Sequence, residues 1–395
     1  MSDNLPSDVL IEILTRLPVK SLVLFSCVCK HWYTLITNPV FISTHLNRSH
    51  NQLLFVRHYN MFQEMERYAL HFPSESYGEY AELECPVKSV NEYFRILGSC
   101  NGLICLSDDY STHTDTIVIW NPSVRRSVTL PKPGFPHATQ GTCLLGFGFD
   151  ALSNDYKVVR IVYEHNVPDD SYYRLPPNVE IYALSTGNWR SISGASPNYV
   201  MYRFFPLPAL MNGAVHWVAN GQGNSSSVHN LVAAFDMCDE VFREIMMPDD
   251  LVETEVLKLS ISVLGTSLAL IQYEKIWQSE YCWVWMMKEY GAAESWTRLF
   301  TIDMRFGIRK VVGFQNNQVL LSARIKGLIL YDPKSQQVEY LGIHGTNRSF
   351  YVDTYVESLV LLKGENSDLL LANSSDAVTG ERETQVLREE GRTEE

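Results

Sequence analysis

Histidine, cysteine and glycine residues form catalytic, metal-binding or nucleotide-binding sites only at particular spacings along a chain. The eleven histidines are scattered along the sequence. Neither the Gly-x-Ser-x-Gly turn of a serine nucleophile nor the His-Glu-x-x-His pair of a zinc protease occurs. The run Gly146-Phe147-Gly148-Phe149 lacks the third glycine of a dinucleotide-binding loop and is typical of a strand. We therefore predict no catalytic residue, no metal and no cofactor.

Two weaker signals leave an alternative open. His216, within Ala214-Val215-His216-Trp217-Val218, has the setting of a core or channel-lining histidine. A ring-shaped fold could still gather distant histidines or carboxylates at its axis. Cys27 and Cys29 lie two apart on a helical stretch, so they point to different faces and make a poor metal pair. The eight cysteines are expected to be free and small core residues of a reducing compartment.

Charge and hydropathy exclude some classes of protein. A net charge of −13 and a pI of about 5.3 argue against a general nucleic-acid binder. No apolar run reaches membrane-spanning length, and the first motif begins too early to leave room for a signal peptide. A cytoplasmic or nuclear location is therefore expected, with no membrane partner. Residues 364–395 hold nine acidic and three basic residues and are expected to form a disordered acidic tail.

Residues 5–41 have the pattern of three short helices and are the first segment of the chain that could position a functional surface. Pro6 suits a first helical turn, whereas Pro18 and Pro39 are predicted to end the first and third helices. Apolar residues recur at helical spacing between these prolines. A unit of about 40 residues cannot bury so many apolar groups alone. The leftover apolar surface implies a partner.

This segment resembles the F-box, which docks onto a Skp-type adaptor of cullin–RING ubiquitin ligases. The resemblance rests on these residues, in order: Leu5-Pro6, Ile13-Leu14, Leu17-Pro18, Leu22, Val28-Cys29-Lys30 and Trp32. It implies an adaptor-binding set made of Leu5, Pro6, Val9, Leu10, Ile13, Leu14, Leu17, Pro18, Leu22, Val28, Cys29 and Trp32. The alternative is an ordinary amphipathic N-terminal bundle.

After residue 45 the hydrophobic period becomes that of strands, and turn signals recur every 50 to 58 residues. These signals are Asn51-Gln52, Asn101-Gly102, Asn154-Asp155, Asn212-Gly213, Gly265-Thr266 and Asn316-Asn317. Each of the later five is followed by a second strand pair, so the repeating unit is four strands. We predict a propeller of six blades, closed by a strand within 350–362 that pairs with 53–57. An irregular β-sandwich is the alternative.

The strand region resembles the plant F-box-associated domain of kelch-like type, as in S-locus F-box-like proteins. The segments that carry this resemblance are Gly98-Ser99-Cys100-Asn101-Gly102-Leu103, Trp120-Asn121-Pro122, Gly146-Phe147-Gly148-Phe149-Asp150, Asp155-Tyr156-Lys157-Val158-Val159 and Tyr331-Asp332-Pro333. The Gly-Gly doublet of strict kelch repeats is absent. The predicted fold class is α+β: a three-helix F-box (1–45), an all-β kelch-like propeller (46–363) and the tail (364–395).

The two resemblances together imply a non-catalytic substrate-recognition subunit of an SCF-type (Skp–cullin–F-box) ubiquitin ligase. Its partners would be the adaptor, through it a cullin, and a target protein. Two long connections rich in tyrosine and arginine, the residues that anchor interfaces, are the candidates for target binding. Their members are Tyr172, Tyr173, Arg174, Tyr199, Tyr202, Arg203, Phe204 and Phe205. The alternative is that these aromatics pack beneath their loops.

Two other functions fit the same pattern. One is a propeller scaffold that binds the adaptor without promoting degradation. The other is a propeller enzyme or glycan binder that carries an F-box. Co-precipitation with a cullin would distinguish the first, and a converging set of carboxylates or histidines at the propeller axis would favour the second.

Overall fold

A computed structural model describes most of residues 6–362. The internal stretches outside the description are 49–51, 61–62, 74–76, 92, 110–115, 136–141, 166–172, 193–195, 202–206, 223–227, 276–278, 306 and 347–348. Leu5 and the predicted tail at 364–395 also lie outside the described residues. The chain divides into two compact units, one built from 6–48 with 358–362 and the other from 52–357.

The first unit is helical. Its helices are α1 (Ser7–Leu14), α2 (Val19–Ser26), α3 (Lys30–Ile36) and α4 (Pro39–Arg48). The three predicted helices are present. Helix α4 was not predicted, because Pro39 was interpreted only as the end of α3, whereas it is also the first residue of α4. Proline is well suited to a first helical position, and the Asn38 side chain accepts a hydrogen bond from the backbone N–H of Val40 at 2.8 Å.

Apolar side chains from all four helices form the interior of this unit. The buried ones are Leu10, Leu14, Val19, Leu22, Ile36 and Phe41. The imidazole of His45 lies 2.9 Å from the carbonyl oxygen of Leu17, which links α4 to the connection between α1 and α2. Glu12 adds a second link, since its carboxylate accepts hydrogen bonds from Arg16 at 2.6 Å and from Arg48 at 2.7 Å. These two arginines, Arg16 first, lower the pKa of Glu12.

The second unit consists of six antiparallel sheets, the blades of a propeller, which confirms the predicted architecture. Blades 1 to 3 contain β1 (Gln52–Asn60), β2 (Met65–His71), β3 (Glu79–Leu83), β4 (Arg95–Cys100), β5 (Leu103–Ser107), β6 (Ile117–Asn121), β7 (Arg126–Thr129), β8 (Thr142–Asp150), β9 (Asp155–His165), β10 (Tyr173–Ala183) and β11 (Asn188–Ser191). Blades 4 to 6 contain β12 (Tyr199–Met201), β13 (Ala209–Met211), β14 (Ala214–Gln222), β15 (Val228–Asp236), β16 (Phe242–Met246), β17 (Leu259–Leu264), β18 (Ser267–Tyr273), β19 (Tyr281–Met287), β20 (Trp296–Asp303), β21 (Ile308–Gln315), β22 (Gln318–Ala323), β23 (Gly327–Asp332) and β24 (Gln337–Tyr340). A short helix, α5 (Asp249–Val252), separates blades 4 and 5.

The last strand, β25 (Tyr351–Val356), completes blade 1 in the order β25-β1-β2-β3. It pairs antiparallel with β1, in a register that places Gln52 opposite Val356 and Arg57 opposite Tyr351. The predicted closure between the C-terminal strand and residues 53–57 is therefore confirmed. The ring closes without leaving β1 as an open edge.

Five of the six predicted hairpin turns are confirmed. Asn101 and Gly102 have φ values of 52° and 77°, as expected for a turn that requires positive φ at both central residues. The prediction at Asn51-Gln52 was wrong, because the element described before β1 is helix α4 and not a strand, so no hairpin forms there. The connection from β1 to β2 lies at 61–64 instead, where Glu64 adopts a φ of 49°.

The core of the propeller lies between neighbouring blades. The innermost strands β25, β4, β8, β17 and β21 each contact the innermost strand of an adjacent blade. Apolar clusters fill the spaces between blades, such as the one that joins Phe55 and Tyr355 of blade 1 to Ile104 and Trp120 of blade 2. The Tyr355 hydroxyl lies 2.7 Å from the hydroxyl of Ser123, which adds a polar contact across the same boundary.

Blade 4 has an interrupted innermost strand. Both β12 and β13 pair with β14, at Ala219–Gly221 and Ala214–His216 respectively.

None of the helices in the described part of the chain has the length and apolar character required to cross a bilayer.

Candidate functional site

Half of the predicted adaptor-binding residues lie on the surface of the helical unit. Val9 and Ile13 of α1 are 43% and 48% exposed, and Val28 in the α2–α3 turn is 63% exposed. Pro6, Pro18 and Cys29 are exposed as well. Helices α2, α3 and α4 add three large apolar side chains that the motif did not include: Leu24, Tyr33 and Val40. Exposed apolar side chains at this density on a small unit mark an interaction surface.

Three predicted adaptor-binding residues are buried inside the helical unit. Leu10, Leu14 and Leu22 are 6%, 1% and 0% exposed, so their side chains hold the helices together. The helical period explains the difference, because adjacent apolar residues such as Ile13 and Leu14 must point in different directions. The prediction grouped both members of such pairs. Leu17 is half-buried, and Leu5 lies outside the described residues.

Trp32 is half-buried and packs edge-on against Phe25, with 5.3 Å between ring centroids and 68° between ring planes. The contact joins α2 to α3. Cys29 begins α3 as its capping residue, and its sulfur accepts a hydrogen bond from the backbone N–H of Trp32 at 3.5 Å. Trp32 therefore packs α3 against α2.

The predicted target-binding residues separate into two groups. Tyr172, Tyr202, Arg203, Phe204 and Phe205 lie outside the described residues, as do the side chains of Tyr173 and Arg174 in β10. Tyr199 is 3% exposed and belongs to the core between blades 3 and 4, and its carbonyl accepts a hydrogen bond from the Tyr163 hydroxyl at 3.0 Å. Its predicted exposure was wrong, because β12 pairs with β14 and carries the ring inward.

A cavity of about 560 Å³ opens among the innermost strands of the propeller. Its walls come from β25, β4, β13, β17 and β21, which belong to five different blades. The turn residues Gly265, Asn316 and Asn317 also line it. The cavity therefore lies on the propeller axis, at the end where the innermost strands lead into their hairpin turns.

Two charged side chains, Lys310 of β21 and Asp353 of β25, are among the described residues that line this axial cavity. Burial, followed by the nearby positive charge of Arg57, lowers the pKa of Lys310 to about 8. Burial raises the pKa of Asp353 to about 6, against the opposing effect of the Tyr351 hydroxyl that donates to its carboxylate at 2.8 Å. Burial thus disfavours the charged form of both side chains.

Among its described lining residues, the axial cavity brings together no converging set of acids and histidines. Asp353 supplies the one carboxylate among the described lining residues, and no histidine lines it. Within the described parts of the chain, no group of three His, Cys, Asp or Glu side chains is placed to hold a metal ion. His216 is fully buried in blade 4, in agreement with the predicted core role.

Sequence reasoning missed Lys310 and Asp353. Each carries a weak signal: a lysine before Val311-Val312 in β21, and an aspartate between Val352 and Thr354 in the closing strand. Ionisable residues with shifted pKa values that line a cavity are functional candidates. The two residues meet at the axis because blades 1 and 6 are neighbours in the ring. No local sequence pattern indicates which blades are neighbours.

An N-terminal helical unit with an apolar surface, followed by a six-bladed propeller, defines the class of protein to which this chain belongs. A family model described as "F-box associated beta propeller domain" matches residues 27–362, and one described as "F-box domain" matches residues 2–44. The chain belongs to the F-box associated beta propeller family.

Relatives align with this chain along most of their length. "F-box protein CPR1" from Arabidopsis thaliana is 28% identical over an alignment that covers 98% of this chain and 95% of that protein. "F-box/kelch-repeat protein At3g23880" from the same plant is 25% identical, with 85% of this chain and 90% of the relative covered.

Proposed function

We propose that this protein is the substrate-recognition subunit of an SCF-type ubiquitin ligase, acting in the cytoplasm or the nucleus. The helical unit binds a Skp-type adaptor, and through it a cullin, while the propeller binds a target protein. The chain itself supplies no covalent chemistry. It raises the effective concentration of target lysines near the ubiquitin-conjugating enzyme.

The exposed apolar surface of the helical unit is the observation that carries this proposal. Val9, Ile13 and Val28 are 43%, 48% and 63% exposed although the unit has a well-formed interior. Desolvation of such groups is favourable by about 25 cal/mol per Å², so an adaptor that covers them gains binding free energy. The match of the F-box model to residues 2–44 supports the same partner.

Charge substitution at the helical surface tests adaptor binding. Ile13→Lys places a cation in the last turn of α1, where the helix dipole favours positive charge, so the helix should survive. We expect the full chain with Ile13→Lys to bind the adaptor at least about tenfold more weakly, as for a hot-spot residue. Ile325→Lys is the matched control, because Ile325 is also exposed, at 83%, but lies in the β22–β23 turn of the propeller.

Two further measurements separate ligase function from the scaffold alternative. Co-precipitation should recover a cullin together with the adaptor from the unmodified chain, and neither from Ile13→Lys. Proximity labelling with the Ile13→Lys variant should enrich target proteins, because this variant keeps the propeller but lacks the adaptor. The same proteins should have a longer half-life in cells that express the variant. Adaptor binding without cullin recovery would identify a non-degradative scaffold and contradict the proposal.

A further inference from the structure

The end of blade 6 opposite the Asn316-Asn317 turn has an excess of positive charge. Two segments form this end: residues 304–310, which lead into β21, and residues 322–328, which contain the β22–β23 turn. Together they hold five basic residues and no acidic residue, in a chain whose net charge is −13. The backbone N–H of Arg324 donates to the carbonyl of Gly307 at 2.9 Å, so the two segments are in contact. Positive charge is therefore concentrated at one place on an acidic protein.

Most of these cations are not neutralised by the protein itself. Arg305 is paired with the carboxylate of Asp303 at 2.6 Å, and Lys310 lines the axial cavity. The other three form no ion pair with a carboxylate of the described residues: Arg309, Arg324 and Lys326. Arg324 and Lys326 are exposed, and Arg309 is half-buried. Their charges are therefore available to the carboxylates of a partner, with which arginine forms strong, directional hydrogen bonds.

The β22–β23 turn holds a large apolar side chain in the solvent. Ile325 is 83% exposed. Gly327 has a φ of 72°, and a methyl group at this position would clash with the carbonyl oxygen of Ile343, so the close approach requires glycine. The backbone N–H of Leu328 donates to the same oxygen at 2.9 Å. The turn is thus fixed against the segment that follows β24, and a partner that contacts Ile325 would lose little free energy in ordering it.

An exposed aromatic ring lies beside this turn. Tyr340 of β24 is 59% exposed, and the Nζ atom of Lys326 lies 4.9 Å from the centroid of its ring. Tyrosine and arginine are the residue types that anchor protein–protein interfaces. Exposed apolar groups and unpaired cations therefore share one end of blade 6. We call this the blade 6 surface, and its members are Arg309, Arg324, Ile325, Lys326 and Tyr340.

We propose that the blade 6 surface binds an acidic segment of the target protein, in which an apolar side chain lies between carboxylates. The apolar side chain packs against Ile325 and Tyr340, and the carboxylates pair with the three unpaired cations. This inference rests on the proposed receptor function, because it names the chemistry of the target. A nucleic acid or an anionic membrane is disfavoured, since a chain of net charge −13 would repel an extended array of phosphates. A short acidic segment can meet the blade 6 surface alone.

Selection from a random peptide library displayed on phage tests this chemistry before the target is known. The unmodified full-length chain should enrich peptides in which aspartate or glutamate residues flank a leucine, isoleucine or phenylalanine. Fluorescence anisotropy with the most enriched peptide then measures its affinity. Binding should weaken as the salt concentration rises, because ion pairs on an exposed surface are screened.

Variants of the full chain identify the groups responsible. Arg324→Glu combined with Lys326→Glu should weaken binding of the selected peptide at least about tenfold, since two attractions become repulsions. Ile325→Ser should weaken binding about fivefold but leave its salt dependence unchanged, because it removes only apolar contact. Lys334→Glu is the matched control, since Lys334 is exposed in the β23–β24 turn at the other end of the same blade. Its affinity should stay within about twofold of the unmodified chain. Equal melting temperatures of all these proteins would exclude a folding defect, and the salt dependence of the unmodified chain needs no variant.

Several results would overturn the proposal. One is a selection without excess of acidic residues, and another is equal affinity of the charge-reversed variant and the Lys334→Glu control. Binding to phosphatidylserine vesicles or to an oligonucleotide, but to no acidic peptide, would assign the surface to a membrane or a nucleic acid. Peptide binding only by a chain that stops after Lys363 would assign it to the acidic residues 364–395 of this chain. None of these results would alter recovery of the adaptor and cullin, so failure here is distinguishable from failure of the proposed ligase function.

Discussion

The imidazole of His216 in blade 4 lies 2.8 Å from the hydroxyl oxygen of Tyr290 in blade 5. The opposite ring nitrogen, Nδ1, is 3.0 Å from the carbonyl oxygen of Ala209, so it must carry the proton. Nε2 therefore accepts from the Tyr290 hydroxyl. His216 has no exposed surface, and its burial lowers its pKa to about 4. In the neutral ring, the contact between the blades is a hydrogen bond from Tyr290 to His216, and the burial of the ring disfavours its charged form.

Protonation of His216 should destabilise the propeller in weak acid. The pKa falls from 6.5 in the unfolded chain to about 4 in the folded one, so the unfolded state binds more protons between these values. The contribution of His216 to stability is present above pH 6.5 and is lost as the pH falls toward 4. Between pH 7 and pH 5 the loss should amount to about 2 kcal/mol.

Urea unfolding of the unmodified chain and of His216→Gln at both pH values measures this loss. His216→Gln should be the less stable protein at pH 7 but should lose about 2 kcal/mol less on acidification. The variant must be compared with the unmodified chain because two other groups titrate in the same pH range. The pKa of His58 is lowered to about 4, and that of Asp353 is raised to about 6. His31→Gln, at an exposed position of α3, is the control. Equal losses in all three proteins would contradict the prediction.

The repeat of the propeller could be predicted because its turns depend on residue type. Positive φ is costly for most residues but tolerated by glycine and asparagine, so Asn101-Gly102 and Asn212-Gly213 mark hairpins in any context. The first turn escaped prediction because Glu64, at a φ of 49°, is a residue type that gives no such signal. Helix α4 was missed for a related reason, since Pro39 can follow one helix and begin another.

The exposure of candidate site residues was harder to predict than the elements that carry them. The motif identified Ile13 and Leu14 together, whereas the direction of each side chain depends on how α1 packs against its neighbours. The axial cavity presents a larger difficulty. Lys310 and Asp353 are 43 positions apart in the sequence, and they reach one cavity because β25 returns to blade 1 beside β21 of blade 6.

Gly146 of β8 permits the close approach of blades 3 and 4. A methyl group at this position would lie 2.7 Å from the Trp217 ring and 2.9 Å from the Val215 side chain. We expect Gly146→Ala to reduce the free energy of unfolding by about 1–3 kcal/mol, the usual effect of overpacking a core. Equilibrium unfolding in urea measures the change.

Gly313→Ala is the control for this substitution. Gly313 also lies within a strand, β21, but a methyl group there would come no closer than 3.6 Å to another atom, the carbonyl oxygen of Val352. Alanine should therefore be tolerated and should even favour the strand slightly over glycine. Equal stability of the two variants would show that the blades can separate at Gly146 without cost.

Ring closure should make the propeller sensitive to removal of β25. A chain that stops after Ser349 lacks this strand, leaves β1 as an open edge and loses Tyr351 and Tyr355 from the core between blades 1 and 2. We expect its melting temperature to fall by more than about 10 °C, or the protein to aggregate. A chain that stops after Lys363 keeps all 25 described strands and should melt like the full chain. Similar melting of the two truncated chains would contradict closure by β25.

Ile13 and Leu14 should separate binding from stability on one helix. Leu14 is 1% exposed, so Leu14→Ala should create a cavity and destabilise the helical unit by about 2–5 kcal/mol. Ile13 is 48% exposed, so Ile13→Ala should change stability by less than about 1 kcal/mol while it weakens adaptor binding. Hydrogen exchange of α1 to α4 in the full chain measures stability, and calorimetry with the purified adaptor measures affinity.

The pattern across both measurements identifies the adaptor-binding surface. Ile13→Ala with normal hydrogen exchange and weakened binding assigns that side chain to the interface, because a folding defect cannot explain the loss. Leu14→Ala should weaken binding only in proportion to the fraction of helical unit that it unfolds, since its side chain does not reach the surface. If Ile13→Ala instead accelerates exchange as strongly as Leu14→Ala, then Ile13 supports the fold, and the apolar surface of α1 is not where the adaptor binds.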